Sequence, residues 1–73
     1  MRYIVNDNPQ SNRDHEVHKY PRTYCSSPNY PDSSNQVDLG LHINCHSAVR
    51  KAKSLGYEEA DGCYYCSRPC HKS

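Results

Sequence analysis

The sequence has no phenylalanine or tryptophan, and its isoleucine, leucine and valine residues together number nine of 73. This aliphatic share, about 12%, lies below the roughly 20% at which a highly charged chain becomes disordered by default. The net charge is only +1, so the second condition for disorder is not met. We therefore expect a folded chain with an unusually poor hydrophobic core.

Packing alone is expected to balance the cost of folding without exceeding it. A chain of 8.4 kDa buries roughly 7,600 Å² on folding. If about 60% of this area is apolar, burial contributes about 110 kcal/mol. Ordering 73 residues at about 1.5 kcal/mol each costs about the same. A covalent or metal cross-link is therefore expected, and the five cysteines and five histidines are the candidates.

Long apolar runs and strongly charged tails are also missing. The length leaves room for one small domain only, which excludes enzymes that need a separate cofactor fold. No stretch approaches the ~20 apolar residues of a membrane span. The apolar run in the first ten residues has three members, Tyr3, Ile4 and Val5, whereas a secretory signal needs 7 to 15. We expect a cytoplasmic protein with no membrane partner and no evident small-molecule substrate.

The cysteine count favours a metal over disulfides. An odd number of cysteines cannot all be paired, and a cytoplasmic chain seldom keeps disulfides. Zinc, in contrast, can use any three or four thiolates or imidazoles. We therefore predict structural zinc as the cofactor.

Residue patterns predict a small α+β fold. Arg2–Asn6 and His15–Tyr20 are β-prone, and in the second run Glu16 and His18 share one face. Residues 37–43 alternate apolar and polar side chains, which predicts a third strand. Residues 45–55 carry a helical apolar stripe, with Asn44 as N-cap and Gly56 as the stop.

The predicted single domain, residues 1–73, divides into four regions. These are an N-terminal strand region 1–20, a long loop 21–36, a strand and helix unit 37–56, and a cysteine knuckle 61–71. The expected architecture is an antiparallel sheet of two or three strands, one helix packed across it, and the C-terminal knuckle. Cys25 is the obvious anchor for the long loop.

The strongest motif is Cys63-Tyr-Tyr-Cys66, because two thiolates at this spacing can hold one metal ion from a single tight turn. A structural site needs two further ligands from a distant segment. Cys25 is the best third ligand because it would fasten the long loop. For the fourth ligand we rank His18 first, then Cys45, then Cys70, with His71 also close behind the knuckle. The predicted ligand set is therefore Cys63, Cys66, Cys25 and His18.

Alternatives remain open for several of these residues. His18 could be an idle surface histidine, Cys45 could pack under the helix as a small apolar residue, and Cys70-His71 could lie in a frayed terminus. A thioredoxin-like dithiol is excluded because only seven residues follow Cys66. A Cys45 nucleophile assisted by His42 or His46 lacks any orienting group in the sequence. The seven tyrosines could stack on nucleic acid or serve as core aromatics.

As a set, these motifs resemble a family of small, uncharacterised bacterial proteins. The matching positions are residues 15–19, Cys25, Asn35, residues 39–40, Cys45, residues 48–49, residues 61–66 and residues 70–71. The order His, Cys, hairpin, helix, Gly-Tyr and C-x2-C is also similar to the metal-binding modules of adaptive-response DNA repair proteins and to the tail modules of some thermonuclease-like proteins. That likeness implies zinc on Cys25, Cys63 and Cys66 and a link to nucleic acid.

The function predicted from these observations is a non-catalytic, zinc-stabilised binding module whose partner is a protein or a nucleic acid. The near-neutral charge favours a protein partner. The alternative is a thiol redox or metal-handling protein that uses the surplus cysteines and histidines.

Overall fold

The computed structural model of the chain describes residues 1–9 and 14–72. Within these residues one helix and four strands form a small α+β domain, which confirms the predicted fold class. The strands lie in the order β3-β1-β2-β4 in one sheet. The elements are β1 (Arg2–Asn6), β2 (His15–Tyr20), β3 (Gln36–Leu41), α1 (Cys45–Ser54) and β4 (Ala60–Gly62).

The prediction of an antiparallel sheet with two or three strands was wrong. β1 pairs antiparallel with both β2 and β3, but β4 pairs parallel with the outer side of β2, through His15↔Ala60 and Val17↔Gly62. β4 has only three residues, Ala-Asp-Gly, and none of these residue types favours a strand. Its conformation is therefore set by pairing with β2, which a local pattern does not reveal.

β3 ends two residues earlier than predicted. The pairing of β1 with β3 shifts register between Tyr3 and Ile4, which inserts Leu39 as an extra residue in β3. Gly40, at φ +83°, allows this irregularity because a residue without a Cβ tolerates positive φ. Val37 and Leu39 face the helix side as the alternation predicted, but the bulge turns Leu41 away from it, and Leu41 is exposed. Ile43 lies beyond the end of β3 and is also exposed.

The helix begins where predicted, because the Asn44 side chain accepts a hydrogen bond from the Ser47 backbone N–H. Ala48 and Ala52 are fully buried, and both lie on the predicted apolar stripe. The helix ends at Ser54, one residue earlier than predicted. Leu55 is its C-cap, and Gly56 follows at φ +105°.

The sheet is covered on both faces. One cluster packs between α1 and the sheet, and its strand members include Val5, Val17 and Leu39. The other cluster lies on the opposite face and consists of Ile4, Cys25, Tyr30, Cys63 and Cys66. The total accessible surface, 4525 Å², is close to the roughly 4,600 Å² expected for this mass. The chain is thus as compact as a typical domain of its mass. Cysteine, alanine and tyrosine fill many of the buried positions that isoleucine, leucine, valine and phenylalanine take in most domains.

The long loop contains two short 3-10 turns, Arg22–Tyr24 and Ser33–Asn35, and a third turn, Arg68–Cys70, follows the knuckle. Cys70 forms a disulfide with Cys45, the first residue of α1. The preference for metal over disulfides was therefore wrong for these two cysteines, whereas Cys25, Cys63 and Cys66 are free thiols. Among the described residues no helix has the length and apolar character required to cross a bilayer.

Candidate metal centre

Four buried side chains from three separate segments meet on the face of the sheet opposite the helix: His18, Cys25, Cys63 and Cys66. They are the four residues of the predicted ligand set. Each contributes one possible ligand atom, and all four atoms lie within 4.8 Å of one another. The structure therefore brings the set together, and ligation of a metal ion by it stays a prediction.

Local structure explains how each side chain reaches the cluster. Strand alternation in β2 places Val17 against the helix and directs His18 to the opposite face, beside Ile4 of β1. Cys25 immediately follows the 3-10 turn Arg22–Tyr24, which brings the long loop back towards the sheet.

Cys63 and Cys66 enter the cluster directly after β4. The Cys63 backbone N–H donates to the Val17 carbonyl, and the Ser67 N–H donates to the Cys63 carbonyl, which closes the tight turn between the two cysteines. Gly62 is required just before this turn. A Cβ at Gly62 would lie 2.5 Å from the Ser67 carbonyl oxygen and 2.6 Å from the Cys70 Cβ.

Three distances between the candidate ligand atoms fit a tetrahedral zinc ion. With Zn–S bonds of about 2.3 Å and a Zn–N bond of about 2.05 Å, ideal tetrahedral angles place sulfurs about 3.8 Å apart and a nitrogen about 3.6 Å from each sulfur. The Cys25 and Cys63 sulfurs are 3.7 Å apart. The His18 Nδ1 lies 3.6 Å from the Cys25 sulfur and 3.9 Å from the Cys66 sulfur. The residues present thus fit a metal ion that takes three sulfurs and one nitrogen.

The contacts between the thiols shift their pKa values in opposite directions. A hydrogen bond between Cys63 and Cys66 raises the pKa of Cys63 to about 11 and lowers the pKa of Cys66. Burial raises the pKa of Cys25. The Lys19 and Tyr65 backbone N–H groups donate to the Cys66 and Cys63 sulfurs, each at 3.3 Å. Such donors stabilise negative charge on sulfur, which is the form that binds metal.

The second nitrogen of His18 identifies a residue that the sequence interpretation did not assign to the site. Nε2 is buried and has no hydrogen-bond partner among the described residues, but the Glu16 Oε1 lies 3.5 Å from it. Histidines that bind metal commonly donate their other N–H to a carboxylate, which fixes the ring orientation. The alternation of β2 already placed Glu16 on the His18 face, so a signal for this contact was present in the sequence.

Tyr30 lies in the same buried cluster as the three cysteines of the candidate site. Its ring lies 5.0 Å from the His18 ring, and its hydroxyl donates to the Lys19 carbonyl at 2.9 Å. Burial raises the pKa of this hydroxyl to about 12, so it remains a hydrogen-bond donor. Tyr30 thus holds the long loop against β2. No sequence pattern distinguished it from the other tyrosines.

The three remaining candidates for the fourth ligand lie outside this cluster. Cys45 and Cys70 are joined in the disulfide on the helix side of the sheet. The His71 Nδ1 lies 3.0 Å from the Gly62 carbonyl oxygen and 3.4 Å from an Asp61 carboxylate oxygen. With the Lys72 N–H donating to Asp61, these contacts anchor the segment that we considered open to fraying.

Comparison with known proteins adds no family to this picture. The chain matches no family model, no curated protein and no solved structure. The resemblances drawn from its motifs therefore stay predictions. The chemistry of the site rests on its own geometry: three cysteine sulfurs and one imidazole, all on buried residues, that could hold a metal ion.

Proposed function

We propose that this chain is a non-catalytic binding module whose fold is stabilised by one zinc ion on His18, Cys25, Cys63 and Cys66. The observation that carries the proposal is the set of four buried ligand atoms within 4.8 Å of one another, three of whose mutual distances are close to those of a tetrahedral site. Catalytic zinc sites keep one position open for water or substrate, whereas structural sites use four protein ligands. Here the protein itself supplies all four.

The donor set favours zinc over other metals. Thiolates exclude magnesium and calcium, which prefer oxygen ligands, and mixed sulfur and nitrogen ligands in a tetrahedron are typical of zinc. The buried cluster has no carboxylate among its four candidate ligands.

Zinc would join the segments that packing alone holds weakly. The ion would tie β2, the long loop and the C-terminal knuckle together, and structural zinc contributes on the order of 10 kcal/mol to folding. That amount is comparable to the whole stability of a small domain. In a chain with nine large aliphatic residues, we expect the metal to decide whether the fold forms.

We propose a protein partner in the bacterial cytoplasm, and the charge supports the choice of a protein over a nucleic acid. The net charge of +1 offers little attraction for phosphates. The knuckle exposes Tyr64 and Tyr65, and the Arg68 guanidinium lies 4.7 Å from the Tyr64 ring centre. Exposed tyrosine and arginine are residue types enriched in protein interfaces.

The nucleic-acid alternative is tested by fluorescence anisotropy with a labelled single-stranded oligonucleotide at low salt. We expect no binding at micromolar protein concentration. Binding that is lost in Tyr64→Ala and Tyr65→Ala, but kept in Tyr24→Ala, would show that the resemblance to repair modules had predicted the partner correctly.

A second candidate function, thiol redox or metal handling, is favoured by one observation: the chain holds both a disulfide and a cluster of three free thiols. Redox activity at the cluster would form a disulfide between two of Cys25, Cys63 and Cys66. Mild oxidation of the zinc-loaded protein separates the two functions, because bound zinc protects thiolates. If the chain is a zinc-stabilised binding module, we expect the protein mass to show no loss of two hydrogen atoms and the zinc ion to stay bound.

Metal content tests the binding-module proposal. Native mass spectrometry of the protein with its Cys45–Cys70 disulfide intact is expected to show one zinc ion. The variant His18→Ala is expected to retain this zinc ion weakly or not at all. His46→Ala, which removes an exposed histidine outside the cluster, is the matched control and should keep one zinc. Cobalt substitution should give the strong visible absorption of a tetrahedral thiolate site. Wild-type protein without metal, or His18→Ala with normal retention, contradicts the proposal.

A further inference from the structure

A second group of metal-ligating side chains lies on the other face of the sheet. Cys45, His46 and Cys70 place their possible ligand atoms within 4.8 Å of one another. The two cysteines are buried and joined as a disulfide, whereas His46 is exposed beside them. While the disulfide is intact, neither sulfur is a thiolate, so the group cannot act as a metal site.

Two surface clefts meet at this group. The first, of about 330 Å³, is lined by residues that include Ile43, Cys45 and His46. The second, of about 180 Å³, is lined by His46, Arg50 and Cys70 among others. Each half of the disulfide therefore borders a cleft, and His46 borders both. The two clefts therefore bring a small thiol or a metal ion up to the two disulfide residues, each of which is 5% exposed.

We propose that reduction of this disulfide creates a second zinc site formed by Cys45, His46 and Cys70. Two molecules of a small thiol supply two electrons and two protons, and they leave as one oxidised thiol dimer. The Cys45–Cys70 bond is thereby replaced by two S–H groups. Zinc then displaces the two thiol protons and binds both sulfurs and the imidazole of His46.

The placement of each residue supports this assignment. Cys45 is the first residue of α1, where the helix dipole favours negative charge on its sulfur. The Cα atoms of Cys45 and Cys70 are 6.2 Å apart, so rotation of the freed side chains can separate the sulfurs for coordination. His46 adjoins Cys45 in sequence, is exposed, and has a ring nitrogen within 4.8 Å of both sulfurs.

The second site would differ in kind from the buried centre. It has three protein ligands, so one coordination position is left for water, and its histidine is exposed. Open sites exchange their metal more readily than closed four-ligand sites. The zinc capacity of the chain would therefore depend on the redox poise of its surroundings: one ion in an oxidising compartment and two in a reducing one.

Zinc titration of oxidised and thiol-reduced protein, followed by native mass spectrometry, tests this inference. We expect one zinc before reduction and two after it, with only the second removed by a mild chelator. His46→Ala should bind one zinc in both states. Arg50→Ala, which alters a lining residue of the same cleft without removing a ligand, should still bind two after reduction.

Two outcomes overturn the inference: reduced wild-type protein that binds no more zinc than the oxidised protein, or reduced His46→Ala that binds as much zinc as reduced wild type. Failure of the buried centre gives a different pattern. The oxidised protein would then bind none, and the reduced protein would bind one ion that His46→Ala abolishes, so the second site would stand alone.

Discussion

Replacing Glu16 with glutamine is expected to weaken zinc binding by 10- to 100-fold, although Glu16 is not a metal ligand in this account. The magnitude is that found for carboxylates that support metal-bound histidines. It corresponds to about 1.4 to 2.7 kcal/mol. The structural reason is that the fully buried His18 Nε2 has the Glu16 carboxylate, 3.5 Å away, as its nearby acceptor.

Two variants separate charge from hydrogen bonding. Glu16→Gln keeps an oxygen that can accept the N–H but removes the negative charge, which makes the imidazole a weaker donor to zinc. Glu16→Ala also leaves a buried N–H without an acceptor, which costs about 1 to 3 kcal/mol. We therefore expect the alanine variant to bind zinc more weakly than the glutamine variant.

Zinc affinity is measured by competition with a chromophoric chelator, with the disulfide intact. Glu58→Gln, which changes an exposed glutamate that is not a member of the cluster, is the matched control and should bind zinc as tightly as wild type. If Glu16→Gln and Glu16→Ala both remain within twofold of that control, Glu16 does not orient His18 and the reasoning fails.

Three further predictions concern the same region. Gly62→Ala should destabilise the zinc-loaded protein by about 2 to 3 kcal/mol in urea unfolding, because its Cβ would overlap Ser67 and Cys70; wild-type stability would show that the close approach is absent. Tyr30→Phe should cost about 1 kcal/mol in the same assay, because it removes the hydrogen bond to the Lys19 carbonyl, and no change would mean that this bond does not hold the loop. Zinc affinity should fall as the pH falls from 8 to 6, by about tenfold per pH unit for each proton that zinc displaces. The reason is that burial raises the pKa of Cys25 and the hydrogen bond with Cys66 raises the pKa of Cys63, so both thiols are protonated in the metal-free protein and must lose a proton to bind zinc. A pH-independent affinity in competition titrations would contradict thiolate ligation.

Local patterns predicted those parts of the fold that local interactions determine. The helix start at Asn44 follows from its capping side chain, and the two faces of β2 follow from strand alternation. The gathering of the C-x2-C pair with Cys25 and His18 was predicted for a different reason, because a structural zinc site needs further ligands from a distant segment. A tight turn and a two-sided strand restrict where these few side chains can point.

Features that depend on distant contacts could not be predicted. β4 is a strand only because β2 offers an edge to it, and the bulge at Leu39 arises from the register of β1 against β3. The Cys45–Cys70 bond joins residues 25 positions apart, and nothing in either local sequence indicates the other. The odd cysteine count suggested one kind of cross-link, but three free thiols and one disulfide satisfy it equally well.

The sequence correctly predicted a core poor in large aliphatic residues. It predicted only a metal ion as the compensating cross-link, whereas the structure also contains a disulfide. Alanine, cysteine and tyrosine fill the space on both faces of the sheet, and alanine and cysteine each contribute less apolar area than leucine or phenylalanine. A disulfide supports one face. On the opposite face, the candidate metal centre is the cross-link that we expect to complete the fold.

The central claim is that zinc at the buried cluster is required for this chain to fold, and amide NMR of the protein with its disulfide intact tests it most directly. We predict a well-dispersed spectrum with one bound zinc, collapse to poorly dispersed resonances when a strong chelator removes the ion, and full recovery on adding one equivalent. A dispersed, unchanged spectrum from fully demetallated protein would contradict the account.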